Sequence, residues 1–352
     1  MVSKAKSVNS KATELRAATN IGAISTDLGN GYCNIEADGG ISSDWRSVQG
    51  IASENNRMSD LPFDSAIHFD GAWRVFGEAA ATHTNTIEEF ATTGRYVSDW
   101  YKRMFAFGLH RAYGLRVGES PFYPKVIASV PAQQYANNDR VDQIRSNLVG
   151  VYCIGDTQGN QLQVEVTGQN LIIIPEGAGT YYYMIKKGDQ QGKSSYGSGV
   201  WAVLDIGYLT SDVVMFRKGD YMEDKAASEA SLGMRGISTK IAKYIHGKGG
   251  PDLRPDHYDI QLGCDSVRVS GTNYDISVVR DRAVAALGEQ LGRFIERTTD
   301  NENLDGILLT GGGAERLAPH IKIDSLRKPY MQVVPNARRA NVLGAYLMLT
   351  EG

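Results

Sequence analysis

One short design occurs twice in this chain. Ile21 to Asp27 reads as a strand that ends in Asp27-Leu28-Gly29-Asn30-Gly31 and returns as a second strand, Tyr32 to Ala37. Trp201 to Asp205 likewise ends in Asp205-Ile206-Gly207-Tyr208-Leu209-Thr210 and returns through Asp212 to Arg217. The two aspartates stand 178 positions apart. A repeated supersecondary unit constrains a fold more than either copy alone. With 352 residues, the chain has room for two such α/β bodies, each with its own core.

The remaining pattern alternates strands with helices, which favours α/β architecture over a bundle or sandwich. Asp38-Gly39-Gly40 and Asp70-Gly71 read as turns, the latter between strands Ile67–Phe69 and Trp73–Phe76. Residues 41–66 lack a clean period and read as a surface excursion. Glu88 to Phe107 has helical spacing, Lys125 to Val130 reads as a strand, and Asn137 to Leu148 as a helix. Val151–Ile154, Leu162–Val166 and Leu171–Ile174 continue the sheet, the last stopping at Pro175-Glu176-Gly177. Gly188 to Gly199, rich in Gly, Ser, Gln and Lys, reads as the crossing between lobes. Gly236–Ile245 and Ser277–Arg297 follow as helices, then strand Gly306–Thr310, the Gly311-Gly312-Gly313 exit, strand Met331–Val334 and a terminal helix.

The expected organisation is an extension at 1–20, a first lobe at 21–190 with a smaller subdomain near 39–109, and a second lobe at 200–335. Residues 336–352 are expected to form a helix packing back on the first lobe.

Composition narrows the function classes. Thirty-seven basic and forty acidic residues give a formal charge of −3, so bulk charge offers no general attraction to nucleic-acid backbones. Arg140, Arg145 and Arg338-Arg339 are scattered or local and make no nucleic-acid reader motif. No run approaches the roughly 18 apolar residues of a membrane span. The first 20 residues are basic and polar, without the apolar middle of a secretion signal; they read as a tail, with a short amphipathic anchor as the alternative. Cys33, Cys153 and Cys264 are odd in number and far apart, which suits a reducing compartment, and no zinc-type spacing accompanies them. A cytoplasmic protein is expected.

Each acidic turn has a chemical reading. Exposed N–H groups in a glycine-containing turn can cradle phosphate oxygens, while the adjacent carboxylate suits Mg²⁺ or its waters rather than bare phosphate. Taken singly, each is also a simple Asp-capped β-turn. As a pair, Asp27 and Asp205 can grip two sides of a magnesium nucleotide. Thr210 adds a hydroxyl for phosphate or for its own turn, and Asp212 faces cleft or solvent. Gly311-Gly312-Gly313 leaves a buried-looking strand before a helix start, where backbone can approach a nucleoside. It is neither GxGxxG nor a P-loop. Glu176, at the tip of LIIIPEG, is either an ordinary surface carboxylate or one that orients a water.

These segments together resemble the actin-like ATPase superfamily, in particular its ParM/StbA branch. The resemblance rests on IGAISTDLGNGYCNIEA, WAVLDIGYLTSDVVMF, GILLTGGGAERL, LIIIPEGAGTYY and NARRANVLGAY, and so runs over most of the chain. It implies a two-lobed fold with a nucleotide cleft between duplicated α/β domains. Asp27 and Asp205 would then hold Mg²⁺ through water, and Glu176 would position the hydrolytic water. Gly29, Asn30, Gly31, Gly207 and Thr210 would contact phosphate, and Gly311, Gly312 and Gly313 would line the adenosine side. The second turn departs from the family's glycine-rich form at Tyr208 and Leu209.

The resemblance further implies ATP (or GTP) as substrate, self-association into filaments, and movement or positioning of plasmid DNA or another cargo through a DNA-bound adaptor, without direct sequence-specific DNA binding. The alternatives are a non-filamentous kinase or phosphatase on the same fold, and a weakly hydrolysing scaffold.

Overall fold

A computed structural model describes residues 22–52, 61–62, 64–84, 93–114, 121–190, 194–255, 258, 262–299, 302–323 and 330–351. The extension at 1–20 and the start of the Glu88–Phe107 segment lie outside the described residues. The chain forms two compact units: residues 1–130, 137–174 and 345–352, and residues 131–136 and 175–344.

The first unit contains β1 (Ala23–Leu28), β2 (Tyr32–Ala37), β3 (Ile41–Arg46), β4 (Gln49–Ile51), β5 (Ala66–Phe69) and β6 (Ala72–Phe76). Helix α1 (Asp99–Tyr113), β7 (Lys125–Val130), α2 (Asn138–Leu148), β8 (Gly150–Gly155), β9 (Gln161–Val166) and β10 (Leu171–Pro175) follow. One sheet has the order β10-β7-β1-β2-β3 and a second β4-β6-β5-β8-β9.

Helix α1 packs against strands of both sheets. Eleven of its fifteen residues are buried, so it is apolar nearly all round, as a helix between two layers must be. Phe107 stacks on Phe76 at 4.2 Å between ring centroids and meets Trp45 edge-on at 5.0 Å. Ser98 caps the helix by accepting from the Tyr101 N–H at 3.3 Å. The cap explains a start at Asp99, and burial carries the helix beyond Phe107 to Tyr113. The excursion expected over 41–66 is corrected at its start, where Ile41–Arg46 pairs along all of β2 and Gln49–Ile51 pairs β6; residues 53–60 and 63 lie outside the described residues. The alternating burial of Ile41–Arg46 is disguised in the sequence by Ser43 on its buried face.

The second unit holds α3 (Ala178–Gln190), β11 (Val200–Ile206), β12 (Ser211–Arg217), β13 (Asp220–Tyr221), β14 (Ala227–Glu229), α4 (Arg235–Gly247), β15 (Ser266–Val269) and β16 (Thr272–Asp275). It continues with α5 (Ser277–Thr299), β17 (Gly306–Thr310), β18 (Tyr330–Val333) and the start of α6 (Ala340–Glu351). Its sheet runs β13-β12-β11-β17-β18, with β14 also on β12. The β15–β16 hairpin is an addition the sequence pattern did not suggest. Helix α3 extends to Gln190, into the stretch expected to be a crossing loop.

The central sheets are built alike. In each, one strand pairs antiparallel with its successor and parallel with a later strand: β1 with β2 and β7, β11 with β12 and β17. The last residues of α6 belong to the first unit, where the Tyr346 hydroxyl donates to Asp38 Oδ1 at 3.0 Å. Burial first, then this hydrogen bond, raises the Tyr346 phenol to about 12.

Candidate functional site

Register shows how deep the duplication runs. Asp27 pairs with Asn34 across the hairpin and with Ser129 on the parallel strand. Asp205 pairs with Asp212 and with Thr310 in the same two ways. Each acid thus stands next to last in a central strand, with a polar residue seven positions later beside it and a hydroxyl on its other flank.

In the first unit, Asp27 is half-buried. Directly paired residues share a sheet face, so Asn34 and Ser129 flank it on its own side. Asn34 Oδ1 and Ser129 Oγ are buried and have no hydrogen-bond partner. Buried polar atoms left in this way call for an explanation, and a bound water or ion is one. The turn after Asp27 is held from beneath. Arg95, 1% exposed, donates through Nη2 to the Leu28 carbonyl at 3.0 Å, the Gly29 carbonyl at 3.1 Å and Ser47 Oγ at 3.2 Å. Its Nη1 donates to Asn30 Oδ1, and its plane lies over Trp100, 4.6 Å from the ring centroid. The Ser47 N–H donates to the Gly31 carbonyl at 2.9 Å. Asp27, Gly29, Asn30 and Gly31 therefore form one ordered corner. Cys33 lies beside it. Burial pushes its thiol up to about 12, against the opposing pull of Arg95 and Ser47.

In the second unit, the corner after Asp205 closes with the Gly207 N–H donating to the Thr210 carbonyl at 3.0 Å. Its carbonyls are also held: Ile206 by the Gly313 N–H at 3.0 Å, Gly207 by Met234 at 3.1 Å and Tyr208 by Arg235 at 2.8 Å. Gly311 adopts a φ of 87°, which favours glycine, and a Cβ there would collide with Asp205 Oδ1. Asp205, Gly207, Thr210, Gly311 and Gly313 are thereby gathered at one end of β11 and β17. Gly312 belongs to the same turn and is exposed.

Glu176 joins this group through the backbone. It is half-buried, and Gly177 after it has a φ of 91°. A Cβ on Gly177 would lie 2.6 Å from Val214 and 3.3 Å from Val203, so the turn sits hard on β11 and β12. The Gly177 N–H donates to Asn341 Oδ1 at 3.1 Å. Thr180 bonds Thr310 Oγ1 at 3.1 Å, and Thr310 donates to the Ala337 carbonyl at 2.8 Å, which also accepts from Gly311 N–H at 3.0 Å. A buried polar chain thus ties the Glu176 turn, the Gly311 turn and residues 337–341 together.

Asp212 is settled. It is 2% exposed and accepts from the Ala132 N–H at 3.1 Å and from Ser228, so it braces its own unit rather than facing solvent. Sequence reading missed Arg95, Asn34, Ser129 and Asn341. The equal seven-residue offset from each aspartate was the available signal for Asn34; Arg95 and Asn341 carry none. Arg145 donates to the Leu171 carbonyl at 2.6 Å, a structural engagement within its unit.

Among the described residues, no group of three or more His, Cys, Asp or Glu could hold a metal ion. Magnesium delivered with a nucleotide needs only one or two carboxylates plus phosphates and waters. In the first unit, half-buried Asp27, flanked by Asn34 Oδ1 and Ser129 Oγ, fits that requirement. Among the described residues, no helix is long and apolar enough to cross a membrane.

Residues 203–323 match the family described as archaeal actin homologue MreB-like, C-terminal. No curated protein matches the chain. Among solved structures, a non-polymerisable quadruple mutant of the pCBH ParM is 18% identical with a TM-score of 0.77, covering 94% of this chain and 99% of that one. Ta0583, an archaeal actin homologue whose complex with ADP is also solved, is 17% identical with a TM-score of 0.78, over 94% and 100%. A ParM from Clostridium botulinum, solved as a 15-stranded filament, is 17% identical with a TM-score of 0.72, over 94% and 99%. The chain thus has the actin-like fold that ParM proteins and archaeal actin homologues share.

Proposed function

We propose that this protein is a magnesium-dependent ATPase that assembles into filaments and hydrolyses ATP with the two acidic corners on one nucleotide. The observation that carries the reading is the matched placement of Asp27 and Asp205. Each stands next to last in the central strand of its sheet, beside a hydroxyl residue on the parallel neighbour and ahead of a glycine turn.

When bound with the phosphates, Mg²⁺ would supply neutralisation of the charge that develops during phosphoryl transfer. Asp27 and Asp205 would hold it, with Asn34 Oδ1 and Ser129 Oγ as further acceptors for its waters. Gly29, Asn30 and Gly31 receive phosphate oxygens from one side, Gly207 and Thr210 from the other. Gly311, Gly312 and Gly313 bring backbone against the adenosine. Glu176 accepts a hydrogen bond from the attacking water and aims its oxygen at the γ-phosphorus; the bond to the β–γ bridging oxygen breaks, and ADP leaves with that electron pair.

Nucleotide binding would favour the assembling form of the chain, and hydrolysis would weaken the contacts between subunits. ADP binding by Ta0583 and filament formation by the Clostridium botulinum ParM support this reading. In the cytoplasm, such a filament would position plasmid DNA or another cargo through an adaptor.

Phosphate release and light scattering followed in one sample with Mg-ATP, with electron microscopy of the product, test it. Filaments and phosphate release are expected. Monodisperse protein without turnover, across a broad range of concentration and salt, would reject the proposal.

A further inference from the structure

The two corners differ in what holds their carbonyls. In the second unit the Ile206 and Gly207 carbonyls are held by backbone N–H groups of Gly313 and Met234. In the first unit the corresponding carbonyls, Leu28 and Gly29, are both held by Arg95 Nη2. One buried guanidinium does there what two backbone segments do in the other copy.

A trans peptide unit is planar, with its C=O and N–H directed oppositely. Fixing the Leu28 carbonyl inward turns the Gly29 N–H outward, and fixing the Gly29 carbonyl inward turns the Asn30 N–H outward. Arg95 Nη1 also engages Asn30 Oδ1, which locks that side chain. The guanidinium itself is confined by Ser47 Oγ and by the Trp100 ring. Its fork therefore sets the direction of two consecutive N–H donors and adds a buried positive charge behind them. Such a pair of outward amides backed by positive charge makes an anion-binding nest.

We propose that Arg95 is a positioning residue for nucleotide phosphate: it holds the turn after Asp27 so that the Gly29 and Asn30 amides meet phosphate oxygens, without touching the nucleotide itself. Phosphate-bearing ligands should therefore depend on Arg95, and nucleosides should not. The inference rests on the nucleotide-binding reading above.

The test is calorimetric titration of the full chain with Mg-ADP and separately with adenosine, for wild type, Arg95→Lys and Arg95→Met. Arg95→Lys keeps the charge and loses the planar fork. Thermal melts establish that each variant is folded. Loss of charge-assisted hydrogen bonds is expected to weaken ADP binding about 10- to 100-fold in both variants, with adenosine affinity held. In parallel, the Gly29 and Asn30 amide resonances of the isotope-labelled wild type should move on adding ADP and stay still with adenosine. This second readout needs no variant to fold.

Unchanged ADP affinity in a folded Arg95 variant, equal losses for ADP and adenosine, or motionless Gly29 and Asn30 amides at saturating ADP would each overturn the inference. A wild-type chain that binds no ADP at all would instead overturn the nucleotide reading beneath it.

Discussion

Gly311 brings its backbone so close to Asp205 that a Cβ at this glycine would strike the aspartate's carboxylate oxygen. The strand register that aligns Asp205 with Thr310 sets this contact, and the positive φ of Gly311 permits it. The carboxylate is thus shaped by the turn proposed to meet the adenosine. Gly311→Ala should lower stability by about 1–3 kcal/mol through backbone strain alone and displace Asp205, weakening Mg-ADP binding. Urea unfolding and nucleotide titration check it; a variant as stable and as avid as wild type would refute the relationship.

Glu176 stands on a turn fixed to β11 and β12 through Gly177. Glu176→Gln keeps the shape and removes the anionic acceptor. Turnover should fall about 100-fold, with ATP affinity largely held. Single-turnover phosphate release alongside ATP titration separates the two effects. Unchanged turnover would take Glu176 out of the mechanism.

Asn341 acts on Glu176 at one remove, by accepting the Gly177 N–H at 3.1 Å. Asn341→Ala leaves that buried donor unmatched, a cost of about 1–3 kcal/mol. A looser Glu176 turn should lower kcat while KM for ATP stays near its wild-type value. A rise in KM with kcat intact would show that the asparagine serves binding rather than water positioning.

Cys33 is buried and its pKa is raised from 9.0 to about 12, chiefly by burial. The unfolded thiol ionises first, so this group's contribution to stability is full below about pH 9 and is lost as pH rises toward 12. Unfolding free energy should therefore fall between pH 8 and pH 10.5 by less in Cys33→Ala than in wild type. Iodoacetamide at pH 8 should label exposed Cys153 and Cys264 and spare Cys33 in the native chain. Rapid native labelling of Cys33 would contradict its assigned burial.

What the sequence revealed was local. Lys125–Val130 matches its strand at both ends, because an apolar run stops at Pro131 and no period competes with it. The acidic turns were legible because strand, aspartate and glycine adjoin in sequence and recur. Ile41–Arg46 was not, since its buried positions include Ser43 and its pairing depends on β2. Arg95 and Asn341 reach their partners over 67 and 164 positions, and no local pattern announces such bonds. Asp212 shows the same limit: strand alternation leaves its direction open, and donors distant in sequence, the Ala132 N–H 80 positions earlier and the Ser228 hydroxyl, fix it inward.

The most direct test is a crystal structure of the chain with Mg²⁺ and a non-hydrolysable ATP analogue. The expected result is one nucleotide with phosphates against Gly29–Gly31 and Gly207–Thr210, and a metal whose waters reach both Asp27 and Asp205. A nucleotide seated elsewhere, or bound at one corner while the other aspartate remains remote from the metal, would contradict the proposed mechanism.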